Sequence, residues 1–204
     1  MKSKLEKLKG TCIGIAGCGG LGSNCAMALA RAGVGTLVIA DFDVVSLENL
    51  DRQYYFRDQV GQKKVLALRD NIKKVDPDID VQVHDVRLGP DEIVHIFKNC
   101  TLIIEAFDRA DMKLMIIETV TERFPDKFII AGSGLAGYGG NNALHTRRLG
   151  SLFICGDEVS EVSAELPPLA PRVAIVAAMQ ANQALEIIMD DLALVGDDDA
   201  WDES

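Results

Sequence analysis

Gly17-Cys18-Gly19-Gly20-Leu21-Gly22 spaces its glycines as G-x-G-x-x-G, after the apolar run Cys12–Ala16 and before the alanine-rich run Ser23–Ala32. Glycines so placed permit a tight turn and let a phosphate approach the backbone, and the N-terminus of a following helix favours anionic charge. About twenty residues on, Asp41 ends a second apolar run, where a carboxylate can accept hydrogen bonds from ribose hydroxyls. Alone, these residues describe a Rossmann-type nucleotide site, for a dinucleotide or for ATP. The plainer alternatives are a glycine turn without a ligand and an Asp41 that caps a turn. The continuation Asp41-Phe42-Asp43-Val44-Val45-Ser46-Leu47-Glu48-Asn49-Leu50-Asp51-Arg52-Gln53 is less ordinary. A dinucleotide domain has no reason to gather Asn49, Arg52 and Gln53 there.

The elements that must position these residues alternate between strand and helix. Residues 1–10 read as a polar, helical lead-in. Cys12–Ala16 and Thr36–Ala40 read as strands flanking a Ser23–Ala32 helix, a unit of about thirty residues. Gly61–Val75 places Val65, Leu68, Ile72 and Val75 at helical spacing and is stopped by Pro77. Asp80–Asp85 alternates as a strand, Glu92–Lys98 is a helix, Thr101–Glu105 a buried strand, Asp111–Arg123 a helix and Lys127–Ala131 a strand. Glycine-rich Gly132–Asn142 reads as a loop, Ala143–Arg148 and Leu152–Cys155 as short antiparallel strands, Pro167, Pro168 and Pro171 as a turn, and Val173–Leu194 as a long helix. The expected fold is therefore α/β, a doubly wound Rossmann-like mainly parallel sheet with a small antiparallel C-terminal portion. Residues 1–195 read as one domain and residues 196–204 as an acidic flexible tail.

The 204 residues are 48% hydrophobic and 25% charged, enough to bury a sizeable core. A formal net charge of −10 argues against nucleic acid as a partner, since binding it needs phosphate-neutralising Lys and Arg. It does not argue against ATP, which needs only a local positive pocket. The five cysteines are odd in number and none has CxxC spacing, so neither a disulfide framework nor a structural zinc is expected. Cys12, Cys18 and Cys25 read as reduced thiols packed among small apolar residues. His84, His95 and His145 are scattered and read as structural or surface residues. No signal peptide and no run of about 18 apolar residues is visible, so a soluble cytoplasmic protein without a membrane span is expected.

The ordered combination of motifs resembles the ThiF/MoeB branch of the ubiquitin-activating-enzyme superfamily. The resemblance runs from the GxGGLG loop through D-x-D-x-V-x-x-x-N-L-x-R-Q to Val60-Gly61-Gln62-Lys63-Lys64, then to Glu105-Ala106-Phe107-Asp108 in the place of D-A/C-T-D-N, and to Ala170-Pro171 before an Ala- and Met-rich helix with Gln180 and Ala184-Leu185-Glu186. It covers roughly residues 10–190. It implies an ATP-dependent adenylyltransferase acting on the C-terminal Gly-Gly of a small ubiquitin-like sulfur-carrier protein, working as a homodimer. It also implies roles: Gly17, Gly19, Gly20 and Gly22 meet the phosphates, Asp41 holds the ribose, Asn49 and Arg52 orient the phosphates, Lys64 supplies a compact cation, and Asp108 holds Mg²⁺. Plainer roles stand beside these: a surface or inter-subunit ion pair for Arg52, a solvated Lys64 with Lys63 reaching inward, and a helix cap for Asp108.

Three departures from the family pattern matter. The paired CxxC zinc motifs of many relatives are missing. So is the R-Y-x-R-Q segment whose Arg enters the neighbouring subunit's site; an N-terminal lysine or Arg109 is a possible substitute. No cysteine lies in the loop Gly156–Pro171, where several relatives form a covalent link. Cys155 stands just ahead of that loop, either as a thiol exposed by its Cys-Gly-Asp turn or as packing. The short chain without zinc motifs favours a ThiF-like form, with a ThiS-like carrier and thiamin biosynthesis as its setting. Gly132–Asn142 and Ser160–Pro171 are the expected channel and cover for the carrier tail. Three other functions remain open: an NAD-dependent oxidoreductase, a catalytically weak binding module of the same fold, and adenylation of a tRNA nucleoside.

Overall fold

Strand β1 (Cys12–Ala16) is apolar or glycine at every position, as a central parallel strand covered on both faces must be. In the computed structural model, which describes residues 3–194, β1 lies inside a seven-stranded sheet. The others are β2 (Thr36–Asp41), β3 (Asp80–Asp85), β4 (Leu102–Glu105), β5 (Phe128–Gly132), β6 (His145–Leu149) and β7 (Leu152–Gly156). Their spatial order is β3-β2-β1-β4-β5-β7-β6. Every pair is parallel except β6 with β7. The antiparallel portion expected near the C-terminus is thus the edge of the one sheet. The chain builds outward from β1 to β3, then returns to lay β4 on the other side of β1. That reversal opens a crevice beyond the carboxyl ends of β1 and β4, the usual ligand position in such sheets.

Alternation along the strands feeds two cores. Ile13, Ile15, Leu37, Ile39, Leu102 and Ile104 pack beneath α1 (Lys4–Lys9), α2 (Gly20–Ala32), α3 (Lys64–Val75) and α6 (Ala170–Met189). Ala16, Val38, Ala40, Ile103 and Ile129 pack with Ile93, Phe97, Ile116 and Val120 of α4 (Pro90–Phe97) and α5 (Ala110–Arg123) on the opposite face. Gly14 joins this second core because a methyl there would lie 2.6 Å from the Phe97 ring.

Helix boundaries differ from the sequence expectation for local reasons. Helix α2 starts at Gly20 rather than Ser23, so two of the loop glycines are its first turn. Helix α3 starts at Lys64 rather than Gly61, because Gly61 N–H donates to Val45 O (2.8 Å), Val45 N–H donates to Gln62 O (2.8 Å), and Gly61 sits at φ +89°. Helix α6 takes Pro171 into its first turn, where a missing N–H costs nothing, and ends at Met189 rather than Leu194. Val173, Val176, Ala177, Ala181 and Ala184 of α6 enter the first core, so burial within the chain accounts for that apolar face. The acidic segment 196–204 lies outside the described residues. Among the described residues no helix is long and apolar enough to cross a membrane.

Phe97 is fully buried and fills the space that Gly14 leaves open. Phe97→Ala is expected to lower the unfolding free energy by about 3–5 kcal/mol. Denaturant unfolding checks this, and a midpoint within error of the parent would refute the packing account.

Candidate active site

The glycine loop owes its shape to two absent side chains. Gly17 has φ +98°, in the left-handed region, and a methyl there would lie 2.9 Å from Ala106 O. A methyl on Gly22 would lie 1.8 Å from Gly17 O, so α2 packs directly on the loop backbone. The N-cap Gly19 makes no side-chain capping bond and the first turn of α2 carries no acidic residue. The amide groups at this helix start are therefore free of a competing carboxylate.

Asp41 binds this loop to the turn beyond β2. Its Oδ2 accepts from Cys18 N–H at 2.6 Å and its Oδ1 from Asp43 N–H at 2.8 Å. Each carboxylate oxygen retains a further lone pair. Arg52 lies along the loop: a methyl on Gly20 would sit 3.8 Å from Arg52 Cγ and 3.0 Å from Val173 Cγ1 of α6. The guanidinium is drawn to neighbouring groups, with Nη1 donating to Asp51 Oδ1 at 2.6 Å and to Glu48 O at 3.3 Å. Its side chain is 28% exposed, which leaves room to swing. Asn49 Oδ1 accepts from Ser46 N–H at 3.1 Å, which fixes the turn that carries Arg52.

Lys64, not Lys63, turns inward. Lys64 is 5% exposed and its Nζ donates to Asp43 Oδ2 at 3.0 Å. Lys63 is partly exposed and pairs with Asp85 at 3.1 Å. Asp108 is exposed three residues beyond β4, two residues after Ala106, which packs on Gly17 and Gly22. It does not cap α5, whose N-cap position belongs to Arg109.

Two substitutes for the missing clamp are committed elsewhere. Arg109 forks onto Asp111 with Nε at 3.0 Å and Nη2 at 2.6 Å. Lys4 pairs with Asp190 at 2.7 Å and Lys7 with Asp191, tying α1 to the C-terminal end of α6, whose other end meets the glycine loop. Cys155 is 0% exposed, and burial pushes its thiol above the usual range, against a 3.6 Å contact with Thr146 Oγ1. This corrects the exposed-thiol reading: Cys155 is a packing residue, because β7 continues through it to Gly156.

Among the supporting residues, Gln53 and Glu105 stood within the sequence motifs, whereas Tyr55, Asn24, Ser23 and Lys113 were not singled out. Tyr55 is buried and donates its hydroxyl to Cys18 O at 2.7 Å and Lys64 O at 3.4 Å, linking loop and helix. Asn24 Nδ2 donates to Gly20 O (2.7 Å) and Arg52 O (2.9 Å). Ser23 Oγ donates to Gly19 O (2.6 Å) and accepts from Tyr54 N–H (2.9 Å). Gln53 presents a buried, unpartnered Oε1, and a methyl on Gly19 would sit 3.9 Å from its Nε2. Across the crevice, Lys113 Nζ holds the fully buried Glu105 (2.8 and 3.1 Å) and Gly132 O (2.9 Å). Burial pushes the Glu105 carboxyl above the usual range, against the opposing pull of Lys113. The only sequence signal for these residues was their closeness to the glycine and Arg52 motifs.

The cover over the last strands is a clip of two loops. Arg172, 6% exposed in the first turn of α6, donates Nη1 to Gly139 O (2.6 Å) and Nη2 to Asp157. Asp157 Oδ1 in turn accepts from Val159 N–H (2.9 Å) and from Ser160 N–H (2.8 Å) and Oγ (3.0 Å). Gly137 N–H donates to Pro167 O at 2.9 Å, so the glycine-rich and proline-containing loops lie against each other.

Fold and site together define a doubly wound α/β domain with a glycine loop at its topological switch point. The chain belongs to the ThiF family, whose profile matches residues 1–199. It is similar to the adenylyltransferase and sulfurtransferase MOCS3 of Caenorhabditis briggsae, 35% identical over 190 residues, covering 89% of this chain and 46% of that protein. It is also similar to the molybdopterin-synthase adenylyltransferase of Salmonella typhimurium, 28% identical, covering 90% of this chain and 75% of that protein. The chain spans less than half the length of several of the curated relatives it matches. In fold it is similar to E. coli tRNA N6-threonylcarbamoyladenosine dehydratase, TcdA, solved with AMP: TM-score 0.84, 20% identity, covering 92% of this chain and 90% of that one.

Gly22→Ala forces a methyl into the backbone of Gly17, which cannot yield as a flexible side chain would. The expected result is a loss of about 1–3 kcal/mol of stability by denaturant unfolding, a typical overpacking cost. A variant as stable as the parent would show that α2 can stand off the loop.

Proposed function

We propose that this chain is an ATP-dependent adenylyltransferase. It activates the C-terminal glycine carboxylate of a small ubiquitin-like sulfur-carrier protein and releases pyrophosphate. One observation carries the reading most directly: Arg52 lies along Gly20 while Lys64 is turned inward from the next helix, around a helix start free of acidic side chains. Family membership and the activities for which its relatives are named support the same chemistry. Residues 1–195 would form the one adenylation domain.

In this mechanism the carrier's carboxylate attacks the α-phosphorus of ATP, and both partners are anions. A C-terminal carboxylate is already ionised near neutral pH, so the attack needs no general base. What the chain must supply is alignment and charge neutralisation. Gly17, Gly19, Gly20 and Gly22 allow the triphosphate to approach backbone amides. Asp41, already fixed by Cys18 and Asp43 N–H groups, has lone pairs left for the ribose. Arg52, released from Asp51, offers a planar fork of donors, with Asn49 holding its turn. Lys64, steadied by Asp43, gives a compact charge to the same anion. Asp108, a free-standing carboxylate past β4, fits a Mg²⁺ ion that takes one or two carboxylates and fills its other positions with phosphate oxygen and water. Bound there, the ion would offset phosphate charge.

Within this reading the carrier is of the ThiS type, ending in Gly-Gly, and the setting is thiamin biosynthesis in the cytoplasm. Its support is the compact ThiF-like motif pattern without paired CxxC zinc motifs. A glycine tail is thin enough to pass the clipped loops at Gly139 and Asp157. The proposed assembly is a homodimer; light scattering that returns the mass of one chain would sink that part. A tRNA acceptor fits poorly with a net charge of −10.

The test is incubation with ATP, Mg²⁺ and Gly-Gly-tailed carriers, with mass spectrometry for the acyl-adenylate and isotope exchange between ATP and pyrophosphate. Arg52→Ala and Lys64→Ala are each expected to slow exchange by about 10²–10³-fold, the scale for losing one transition-state donor. Cys155→Ser should leave exchange intact. Exchange unchanged in both Arg52→Ala and Lys64→Ala, or a nucleotide-bound crystal with Arg52, Lys64 and Asp108 all turned from the triphosphate, would overturn the proposal.

A further inference from the structure

At the opposite end of β1 from the glycine loop, two thiols from distant parts of the chain face each other. Cys12 opens β1 and Cys100 ends the turn between α4 and β4; their sulfurs are 3.6 Å apart. The backbone pins both residues. Thr101 N–H donates to Cys12 O at 2.7 Å, Cys100 N–H donates to Phe97 O at 3.0 Å, and Lys127 Nζ donates to Cys100 O at 2.6 Å. Cys12 stands opposite Thr101 across a parallel pair, and Cys100 is one residue further along. By strand spacing the two Cα atoms are then about 6 Å apart, within the reach of a disulfide.

The two thiols are unequal. Cys12 is half-buried and Cys100 is 1% exposed. The contact with Cys100 holds the Cys12 thiol below the usual range, against partial burial and the nearby Asp80 carboxylate, with the Lys127 ammonium helping. The same contact and its burial push Cys100 up. The other three cysteines are 0% exposed, and burial pushes each of them up. One pair thus combines a half-buried thiol held below the usual range with a second sulfur already in contact.

We propose that Cys12 and Cys100 form a reversible oxidation site that takes a hydroperoxide and closes to a disulfide stapling β1 to the turn before β4. The Cys12 thiolate attacks the outer oxygen of hydrogen peroxide and the O–O bond breaks. Cys12 becomes a sulfenic acid, and the departing hydroxide takes up a proton as water. The Cys100 sulfur then attacks the Cys12 sulfur. The S–S bond forms, the S–O bond breaks, and the hydroxide leaves as a second water with the Cys100 proton. Two thiols have lost two electrons and one peroxide has gained them. A small dithiol reverses the step by exchange. The staple lies about 16 Å along β1 from Gly17, so the glycine loop keeps its form in either state.

The test uses the full chain, reduced and then treated with hydrogen peroxide. The expected product has lost two hydrogens by intact mass, and peptide mapping joins the Cys12 and Cys100 peptides. Dithiothreitol restores the parent mass. In Cys100→Ser the reaction should stop at Cys12 sulfenic acid, trapped by dimedone, and in Cys12→Ser neither cross-link nor adduct should form. Oxidation of Cys18, Cys25 or Cys155 ahead of Cys12 would overturn the proposal. So would parent protein driven to Cys12 sulfinic acid with no joined peptide; because mapping the parent needs no substitution, a variant that misfolds cannot mask either result. None of these readouts depends on ATP or on a carrier.

Discussion

No side chain fits between Gly22 and the carbonyl of Gly17, and most of the site follows from that contact. It draws the first turn of α2 onto the end of β1, so the helix meets the crevice with bare amides. It also turns Gly17 into the left-handed region, where the loop backbone runs against Ala106 beyond β4. The two strands that border the switch point are thereby held at their carboxyl ends as well as by their own ladder. Asp41 completes the frame from the β2 side by accepting from Cys18 N–H. Three strand ends are joined through one six-residue loop, and everything that points at a ligand hangs from it.

Charge is then distributed around this frame unevenly. The chain carries a net −10, yet Arg52 and Lys64 sit next to the glycine loop and its acidic neighbours Asp43 and Asp51 hold them in place. Lys64, at 5% exposure, meets the Asp43 carboxylate, which offsets part of the cost of burying a charge. The pairing therefore serves two ends. It offsets the cost of burying the cation, and under the proposed function it provides partners that a triphosphate would displace. The buried Glu105–Lys113 pair differs: its Nζ also binds Gly132 O, so it locks the ends of β4 and β5 and is fixed to the scaffold. Breaking such a pair from one side leaves an uncompensated buried charge, which makes it a structural constraint on the crevice.

Much of this was legible in the sequence because the strands are short apolar runs punctuated by glycine and by Asp41, Asp85 and Glu105. Periodicity located the helices but not their ends. Where the expectation slipped, backbone hydrogen bonds decided: Val45 claims the Gly61–Gln62 backbone before α3 can start, and Pro171 is tolerated inside α6. The motif Asp41–Gln53 raised the expectation of a phosphate site, but it could not show that Arg52 rests on Asp51 or that Lys64 rather than Lys63 points inward. The lysine outcome depends on helix phase, set by where α3 begins, and the Arg52 contact on the turn Leu47–Asp51 that precedes it. The roles of Tyr55 and Asn24 were illegible because each bridges segments whose proximity only the fold creates. For Cys155 the sequence left exposure and packing both open because a Cys-Gly-Asp string looks like a turn; β7 runs on through it, which decides for packing.

The burial of Cys155 bears on what kind of chemistry the crevice can host. A thiol that is fully enclosed and pushed toward its neutral form is a poor nucleophile, and the loop that follows offers no other cysteine. Among the histidines, His145 is bonded to Ala143 O (3.0 Å) and Glu158 (3.0 Å) beside β6, while His84 lies on β3 and His95 on α4, away from the glycine loop. The side chains placed at this loop, Arg52, Asn49 and Lys64, are ones that neutralise and orient charge. The carboxylate substrate of the proposed function suits such groups, since it arrives ionised near neutral pH and needs no proton removed.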